Sequence, residues 1–391
     1  MNPRKNPYAP GAGTSPPMLA GRGKIIEKCA IALERIRAGL SARSFLLIGL
    51  RGVGKTVLLN RVQQDAEAQG MHVVFVEAPE RRSLPALLAP KLRAELIALD
   101  RGHAASALTK RALRALGGFV SAMKLKFSDI EFGVDLGREE GIADSGDLDA
   151  DLTSLLVVVG EAAREKKTAL VLLIDELQYV EERQLEALIT ALHKCAQLAL
   201  PLTLVGAGLP QLVGQMGSAK SYAERLFEFP IVGPLAFDDA SQALVAPARH
   251  VGVEFDANAL TEIFRLTAGY PYFLQEWGKH AWDVAQSSPI TVADVETASA
   301  IALAELDASF FRVRFDRVTP SEKRYLRAMA EIGLGPYRSG DVAEKLGRAV
   351  NQVAPVRASL IRKGMVYSPE HGDVAFTVPL FDAYMRRKMP F

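Results

Sequence analysis

The stretch that decides the fold is residues 49–56, which read Gly49-Leu50-Arg51-Gly52-Val53-Gly54-Lys55-Thr56. The apolar run Phe45-Leu46-Leu47-Ile48 precedes it as a buried strand, and Val57-Leu58-Leu59 follows as the first turn of a helix. The glycines let the backbone bend so that its N–H groups converge on a polyphosphate, which Lys55 reaches while the Thr56 hydroxyl ligates Mg²⁺. The alternative is a glycine turn between two core elements. The complete pattern favours a nucleoside triphosphate site.

Composition restricts the class of protein. A length of 391 residues suggests two or three domains, and 49% hydrophobic with 24% charged residues is ordinary for a globular chain. The net charge of +2 argues against a chain that binds polyanions over its whole surface, although a local basic module is compatible with it. Cys29 and Cys195 fall in separate predicted elements, which argues against a disulfide framework or a zinc site. Without a signal-peptide pattern or an uninterrupted apolar span, we expect a cytoplasmic protein with no membrane partner.

A second motif lies about 120 residues after the loop, where Val171-Leu172-Leu173-Ile174 runs into Asp175 and Glu176. An apolar strand that ends in two acids delivers carboxylates at the carboxyl edge of a sheet, beside the phosphate-binding loop. Asp175 is then expected to hold the Mg²⁺ shell, and Glu176 to orient and polarise the attacking water. The alternative is a pair of acids that favours the start of the following helix.

Together these motifs resemble the AAA+ ATPases, in particular the origin-recognition or initiator-type proteins and the related archaeal and STAND ATPases. The resemblance spans roughly residues 19–310 and implies an α/β P-loop NTPase fold (AAA+/ASCE) with a parallel sheet and a helical lid. ATP and Mg²⁺ are the implied cofactors. The predicted organisation is an extended N-terminal arm on the surface over residues 1–20, an ATPase domain over 21–236 with a β-hairpin insertion near 122–136, a helical lid over 237–316, and a winged helix over 317–391.

The resemblance also implies further nucleotide contacts. Leu19-Ala20-Gly21-Arg22 looks like the element that opens such modules near the adenine, and Gly269-Tyr270-Pro271 looks like a lid element whose proline packs against the nucleotide. The full predicted set of nucleotide-binding residues is Gly21, Arg22, Gly49, Leu50, Arg51, Gly52, Val53, Gly54, Lys55, Thr56, Val57 and Pro271. Initiators typically carry an arginine sensor in the lid, but none follows Gly269 and Arg265 is a poor match. The Arg51 side chain is expected to face solvent or a neighbouring subunit.

Arg225 is the remaining predicted catalytic residue, beside Lys55, Asp175 and Glu176. It precedes the strand predicted over 228–232, where ring-forming members of the resembled group place an arginine that reaches into a neighbour's site. This role implies a homo-oligomer. The alternative is a surface arginine paired with Glu224 or Glu228.

Residues 320–391 have the pattern of a winged helix, with helices over 321–332 and 339–347, a recognition helix over 349–363 and a wing hairpin over 365–378. Basic residues outnumber acids in this unit, which is the pattern expected of DNA contact. The predicted contacts are Arg348, Asn351, Gln352, Arg357 and His371. Pro355 either kinks the recognition helix or marks its start. The alternative is a winged helix used for protein contacts.

The sequence therefore favours an ATPase whose nucleotide state controls binding of double-stranded DNA, or assembly, through the C-terminal winged helix. The second interpretation is a STAND-like switch that binds ATP, hydrolyses it slowly and signals to a protein partner. Aromatic residues in the lid, which are Tyr270, Tyr272, Phe273, Trp277 and Trp282, favour a lid core over a base-stacking surface because of their helical spacing.

Overall fold

The computed structural model describes residues 1–11, 13–78, 82–100, 106–125, 141–333 and 335–390. Up to residue 228, strands alternate with helices, as the sequence predicts. In chain order these elements are α1 (Gly23–Arg37), β1 (Ser44–Ile48), α2 (Lys55–Ala68), β2 (His72–Glu77), α3 (Leu84–Asp100), α4 (Ala107–Ala122), α5 (Leu148–Glu165), β3 (Leu170–Asp175), α6 (Glu182–Gln197), β4 (Leu202–Gly208), α7 (Gln211–Ala219), α8 (Ala223–Leu226) and β5 (Phe227–Glu228).

The strands form one parallel sheet in the order β2-β3-β4-β1-β5. Strand β4 lies between β1 and β3, and it pairs Gly208 with Ile48 on one side and Gly206 with Ile174 on the other. The two flanking strands therefore end at nearly the same level. Because ligands bind outside the carboxyl ends of parallel strands, this edge is where the phosphate-binding loop and the acid pair meet.

The central strands are buried on both faces, as their continuous apolar runs predict. Alternate residues of the central strands pack into two different hydrophobic cores, one on each face of the sheet. Leu47 and Leu173 pack with the side chains of α1, α2 and the lid, whereas Leu46 and Leu172 pack with those of α3 to α6. The sheet is thus a rigid layer between helices, and it fixes the position of every loop at its carboxyl edge.

A helical lid follows the sheet, as predicted, and consists of α9 (Phe237–His250), α10 (Ala257–Thr267), α11 (Pro271–Val284) and α12 (Val292–Leu306). Trp277, Trp282 and Phe273 of α11 are at most 2% exposed. The interpretation of these aromatics as lid core is confirmed. Tyr272 differs, because it is only partly buried and borders the cavity described below.

The N-terminal arm is more than an extended surface segment. It begins with a short 3₁₀ turn, Pro3–Lys5, and Tyr8 is 4% exposed with its hydroxyl donating to the Leu244 carbonyl of α9. The Trp282 indole N–H donates to the Asn2 carbonyl at 3.1 Å, and the Asn6 amide donates to the Lys279 carbonyl at 3.0 Å. The arm is therefore held against the lid, and only Tyr8 and Ala20 of its described residues are buried.

After α12 the chain continues through a π-helical turn, Asp307–Phe311, into the short helix α13 (Arg312–Asp316). We call residues 307–316 the connector. The C-terminal unit comprises α14 (Pro320–Ile332), β6 (Tyr337–Arg338), α15 (Ser339–Lys345), α16 (Val350–Arg362), β7 (Val366–Tyr367), β8 (Asp373–Phe376) and α17 (Phe381–Lys388). Its strands form an antiparallel sheet in the order β6-β8-β7, an arrangement compatible with a winged helix.

Some predicted elements differ in the structure. Residues 126–136 of the hairpin predicted over 122–136 lie outside the described residues, and α4 continues through Ala122 where the first strand was expected. The strand predicted over 228–232 is shorter, because regular pairing ends at Glu228 and only an isolated bridge joins Ile231 to Ile48. Helix α16 begins at Val350 and continues through Pro355, so the proline does not mark its start. No described helix has the length and apolar character that a bilayer crossing requires.

Candidate functional site

The phosphate-binding loop, residues 49–56, is bent by glycines that no other residue could replace without strain. A Cβ on Gly49 would lie 2.1 Å from the Val232 carbonyl oxygen. Gly52 and Gly54 have φ values of 82° and 93°, in the left-handed region that favours glycine. Helix α2 starts directly after Gly54, so its first free N–H groups face the loop's interior.

Lys55 points into this loop. Its ammonium group donates to the carbonyls of Gly49 and Leu50, both at 2.9 Å, and the side chain is buried. Burial lowers the pKa of Lys55, and Glu176 and Asp175 oppose that shift by raising it. The lysine and both acids are therefore electrostatic neighbours, as the sequence predicts for a shared phosphate site.

Thr56 and Asp175 are in direct contact, although 119 residues separate them in the chain. The Thr56 hydroxyl donates to Asp175 Oδ2 at 2.5 Å. Burial raises the pKa of Asp175, and the hydrogen bond from Thr56 acts in the opposite direction. A hydroxyl and a carboxylate at this separation are the oxygen donors that Mg²⁺ uses beside a substrate phosphate.

Glu176 lies next to this pair in a strained backbone conformation. Its φ of 54° is left-handed, and its N–H donates to Asp175 Oδ1 at 2.8 Å. Such strain costs on the order of 1–3 kcal/mol and is found most often at functional sites. The Gln178 side-chain amide donates to the Glu176 carboxylate, while Gln178 Oε1 accepts from the Leu209 N–H at 3.0 Å. Gln178 thus fixes Glu176 to the end of β4.

Arg51 does not face solvent or a neighbouring subunit, which corrects the prediction for its side chain. Its guanidinium lies 3.9 Å from the Glu176 carboxylate and donates to the Tyr179 hydroxyl at 2.5 Å. The same contacts hold the loop of residues 49–56 against the acid pair. The prediction erred because local sequence does not reveal what packs above the loop.

A cavity of about 570 Å³ opens over the loop. This volume lies within the range of about 300–1,000 Å³ that is usual for small-molecule sites. Most of its wall comes from the N-terminal arm, the phosphate-binding loop, the start of α11 and the connector, and Glu176, Leu235 and Ala243 complete it. Most of the predicted nucleotide-binding residues border it, namely Arg22, Arg51, Gly52, Val53, Gly54, Lys55, Thr56, Val57 and Pro271.

Arg22 borders the cavity where the arm enters α1, and Gly21 precedes it without lining the cavity. Gly21 has a φ of 66°, and a Cβ there would lie 2.7 Å from Asp239 Oδ2. The buried Arg22 guanidinium donates to the carbonyls of Val53, at 3.2 Å, and Gly233. Arg22 therefore ties the phosphate-binding loop to the segment leading into the lid.

The lid meets the loop through the start of α11. The Tyr272 N–H donates to the Gly52 carbonyl at 3.2 Å, and Pro271 occupies the first position of the helix at the cavity wall. Gly269 has a φ of 70°, and a Cβ there would lie 2.2 Å from the Leu235 carbonyl oxygen. The glycine allows this close approach, and the approach places Pro271 over the loop.

The C-terminal unit also touches the loop. The Arg51 N–H donates to the Thr377 carbonyl at 3.3 Å. A Cβ on Gly364 would lie 2.9 Å from both the Arg51 guanidinium and the Tyr179 hydroxyl. The segment after α16 and the segment after β8 therefore pack directly on the side chains that surround Glu176.

Other predicted residues lie outside the cavity. Arg225 is exposed on α8 and its side chain makes no hydrogen bond or ion pair among the described residues, while Glu228 pairs with Arg43 at 3.3 Å. Arg265 is exposed and paired with Glu262 at 2.6 Å, so it does not supply the missing lid arginine.

The predicted DNA contacts are of two kinds. Arg348, Asn351 and His371 are exposed. Gln352 accepts from the Ala349 N–H at 3.2 Å as a helix cap, and Arg357 donates to Ser368 Oγ at 2.9 Å and to the Asp373 carbonyl at 2.8 Å. Gln352 and Arg357 thus have structural partners within the C-terminal unit.

The family comparison agrees with this geometry. Residues 18–205 match the model of the AAA ATPase domain. The chain carries an AAA+ ATPase domain. The predictions of an AAA+ P-loop fold and of an ATPase are confirmed. Residues 308–385 match a second model, described as a domain of unknown function (DUF8462), and no curated protein matches the sequence.

Solved structures similar to this AAA+ ATPase span nearly the whole chain. The Walker-type ATPase PABY2304 of Pyrococcus abyssi is 17% identical with a TM-score of 0.59, and the match covers 94% of this chain and 96% of that one. The Aeropyrum pernix Orc1 protein, solved in complex with DNA, is 15% identical with a TM-score of 0.48 over 95% and 94%. A Thermotoga maritima RuvB variant is 18% identical with a TM-score of 0.46 over 95% and 96%. The first of these supports the fold.

Sequence reasoning missed several residues of the ATPase site. Gln178 and Tyr179 lie two and three residues after Glu176, and their polar character was an available signal. The arm residues that border the cavity, such as Pro10 and Met18, and the connector residues Phe310 and Arg314 gave no local signal. Their place depends on how distant segments pack.

Proposed function

We propose that this protein binds and hydrolyses Mg²⁺·ATP at the loop of residues 49–56, and that its nucleotide state controls what the C-terminal unit contacts. Lys55 and the loop's N–H groups are assigned to the phosphates. Thr56 and Asp175 are assigned to Mg²⁺, and Glu176 to the attacking water. The observation that carries the proposal is the 2.5 Å hydrogen bond between Thr56 and Asp175, because it brings the two motifs into one site.

The residues present fit a magnesium–nucleotide complex. A Cβ added to Gly54 would meet no atom within 4 Å, and the buried Lys55 ammonium faces the loop's own carbonyls. Mg²⁺ would neutralise charge on the phosphates. Lys55 would bind the terminal phosphates, and Glu176, held by Gln178, would orient water and accept its proton. Arg22 and Pro271 border the cavity and are assigned to contacts with the nucleotide, whereas Gly21 and Leu50 are not among the residues that border it.

Coupling to the C-terminal unit is supported by the contacts of Arg51. This arginine binds Thr377 through its backbone and lies beside Glu176 through its side chain. A phosphate that draws Arg51 away from Glu176 would change the surface on which Gly364 packs. The nucleotide state would thereby alter the docking of the C-terminal unit.

We propose double-stranded DNA as the partner of that unit when it is released. The start of α16 presents exposed Arg348 and Asn351, and His371 is exposed at the turn between β7 and β8. A homo-oligomer in which exposed Arg225 completes a neighbour's site belongs to the same proposal. The Orc1 protein to which the chain is similar was solved with DNA, which agrees with this choice.

A protein partner is the second candidate, in the manner of a signalling switch. Several basic residues of the C-terminal unit are paired internally: Arg327 with Glu331, Lys363 with Glu322, and Arg386 with Asp382. Arg387 pairs with Asp307 of the connector. These pairs reduce the basic charge that is free to contact phosphates.

Salt-dependent DNA binding discriminates between the two candidates. With ATP bound, about six phosphate contacts should give a log–log slope of about −5 between roughly 50 and 200 mM salt. Arg348→Ala should lower the slope by about 1, whereas Arg265→Ala, which removes an exposed and paired lid arginine, should leave it unchanged. Absence of binding in both the ATP and ADP states would reject DNA and favour the protein partner.

A further inference from the structure

The connector places Arg314 at the cavity wall, and no sequence motif marks this residue. Arg314, in α13, borders the cavity together with Ser309, Phe310 and Val313. Beside it, Tyr272 of the lid, whose N–H donates to the Gly52 carbonyl, stacks on Phe310 with ring centroids 4.8 Å apart. Arg314 therefore belongs to the wall that closes over the loop.

The Arg314 guanidinium lacks a counter-charge among the described residues. It lies 3.8 Å from the centre of the Phe310 ring, and Nη1 donates to the Phe310 carbonyl at 2.7 Å. Its other N–H groups have no hydrogen-bond partner in the described part of the chain, and no described carboxylate lies within 4.0 Å. A partly buried cation in this state is costly unless an anion meets it.

Arg51 and Arg314 both border the cavity and are close enough to interact electrostatically. Burial lowers the pKa of Arg314 to about 10, Arg51 lowers it further, and Glu176 raises it. The two guanidinium groups thus repel each other beside the glutamate assigned to the attacking water. A terminal phosphate next to Glu176 would supply the negative charge that Arg314 lacks, and it would reduce the repulsion between the two arginines.

The other cations bordering the cavity are already engaged. Arg22 donates to backbone carbonyls, Lys55 donates to the loop of residues 49–56, and Arg51 contacts Glu176 and Tyr179. We propose that Arg314 binds the terminal phosphate of ATP from the connector and is a positioning residue that distinguishes ATP from ADP. This inference rests on the proposed function, because it assigns a residue to that same site.

The connector can pass this distinction to the C-terminal unit. Phe311 stacks on Tyr384 of α17 with ring centroids 5.3 Å apart, and Asp307 pairs with Arg387 at 2.6 Å. Any shift of α13 toward a phosphate must therefore move or strain contacts with α17. Arg314 would link the presence of the terminal phosphate to the position of the C-terminal unit.

The test compares Arg314→Ala with Arg312→Ala, a matched control on the same helix whose side chain is 66% exposed and 3.6 Å from Asp316. Affinities of the full chain for Mg²⁺·ATP and Mg²⁺·ADP are measured by titration calorimetry. Arg314→Ala should weaken ATP binding by about tenfold to a hundredfold and ADP binding much less, because one charged hydrogen-bond partner is lost. Arg314→Lys should restore part of the ATP preference, and Arg312→Ala should change neither affinity.

Equal losses for ATP and ADP in Arg314→Ala would overturn the inference, since they indicate a packing role. Unchanged affinities for both nucleotides would also overturn it. Thermal unfolding of each variant monitors the fold, and Arg314→Lys keeps the test decisive if the alanine variant fails to fold. The proposed function fails separately, if the parent protein binds neither nucleotide.

Discussion

Lys55 shows how a single side chain depends on its surroundings. The ammonium is buried among the loop's own carbonyls, and burial lowers its pKa while the two nearby acids raise it. A lysine in this setting is held by short contacts to backbone oxygen and has little freedom to move elsewhere. We propose that it exchanges those carbonyls for phosphate oxygens when a nucleotide binds.

Replacing Lys55 tests this assignment at the residue scale. Lys55→Ala should reduce affinity for both ATP and ADP by at least about tenfold, because charge-assisted hydrogen bonds to phosphate are lost. Titration calorimetry measures the affinities. Lys110→Ala, a change on α4 away from the cavity, is the control and should bind as the parent does. Unchanged affinity in Lys55→Ala would remove the site assignment.

At the scale of elements, Glu322 at the start of α14 links separate parts of the C-terminal unit through hydrogen bonds. The Glu322 carboxylate accepts from the Thr319 N–H, Lys363 Nζ and Ser359 Oγ, each at 2.7 Å. Burial raises the pKa of Glu322, but these hydrogen bonds outweigh it and lower the pKa to about 2 from an ordinary 4.5. Glu322 thus joins two helices and the turn before the first of them.

The lowered pKa sets the direction of a pH effect. A carboxyl group whose pKa is lower in the folded state stabilises the fold above its unfolded pKa, and that stability is lost as pH falls. Glu322→Gln should therefore lower the free energy of unfolding by about 1–3 kcal/mol near pH 7. The difference from the parent should shrink as the pH falls from 4.5 towards 2.

Thermal unfolding followed across this pH range measures the difference. Glu344→Gln is the control, because Glu344 is exposed on α15 of the same unit. A gap between Glu322→Gln and the parent that stays constant down to the acid limit would contradict the assigned cause.

At the scale of the whole molecule, the ATPase site is a meeting point of four segments distant in the chain. The arm, the lid, the connector and the C-terminal unit all contact the loop of residues 49–56 or its cavity. Gly364 and Thr377 bring the C-terminal unit within reach of Arg51. Changes at the phosphates can therefore reach the far end of the chain through few steps.

Docking of the C-terminal unit can be tested with a pair of glycines. Gly364 and Gly347 have similar φ values, 62° and 65°, but only at Gly364 would an added Cβ meet other atoms within 4 Å. Gly364→Leu should push the unit away from Arg51 and raise the radius of gyration measured by X-ray scattering. Gly347→Leu carries the same backbone strain and should leave the radius unchanged. Equal radii in both variants would argue against docking through this contact.

The success of sequence-based prediction depended on how local each signal was. The loop of residues 49–56 and the pair Asp175–Glu176 were found because each is one short segment with a fixed chemical pattern. The side chain of Arg51 was wrongly expected to face solvent or a neighbouring subunit, and Arg314 was missed altogether. Both depend on the packing of segments more than 200 residues apart or on a connector with no motif, which periodicity alone does not reveal.

The left-handed backbone at Glu176 places the stability of the fold in conflict with the need for a carboxylate at this position. Glycine or asparagine would adopt that conformation more readily, so either substitution could make the chain more resistant to heat while removing the carboxylate. Laboratory evolution that rewarded heat resistance alone would then favour inactive descendants. Engineering for higher thermal stability should therefore keep Glu176 and substitute residues at other positions.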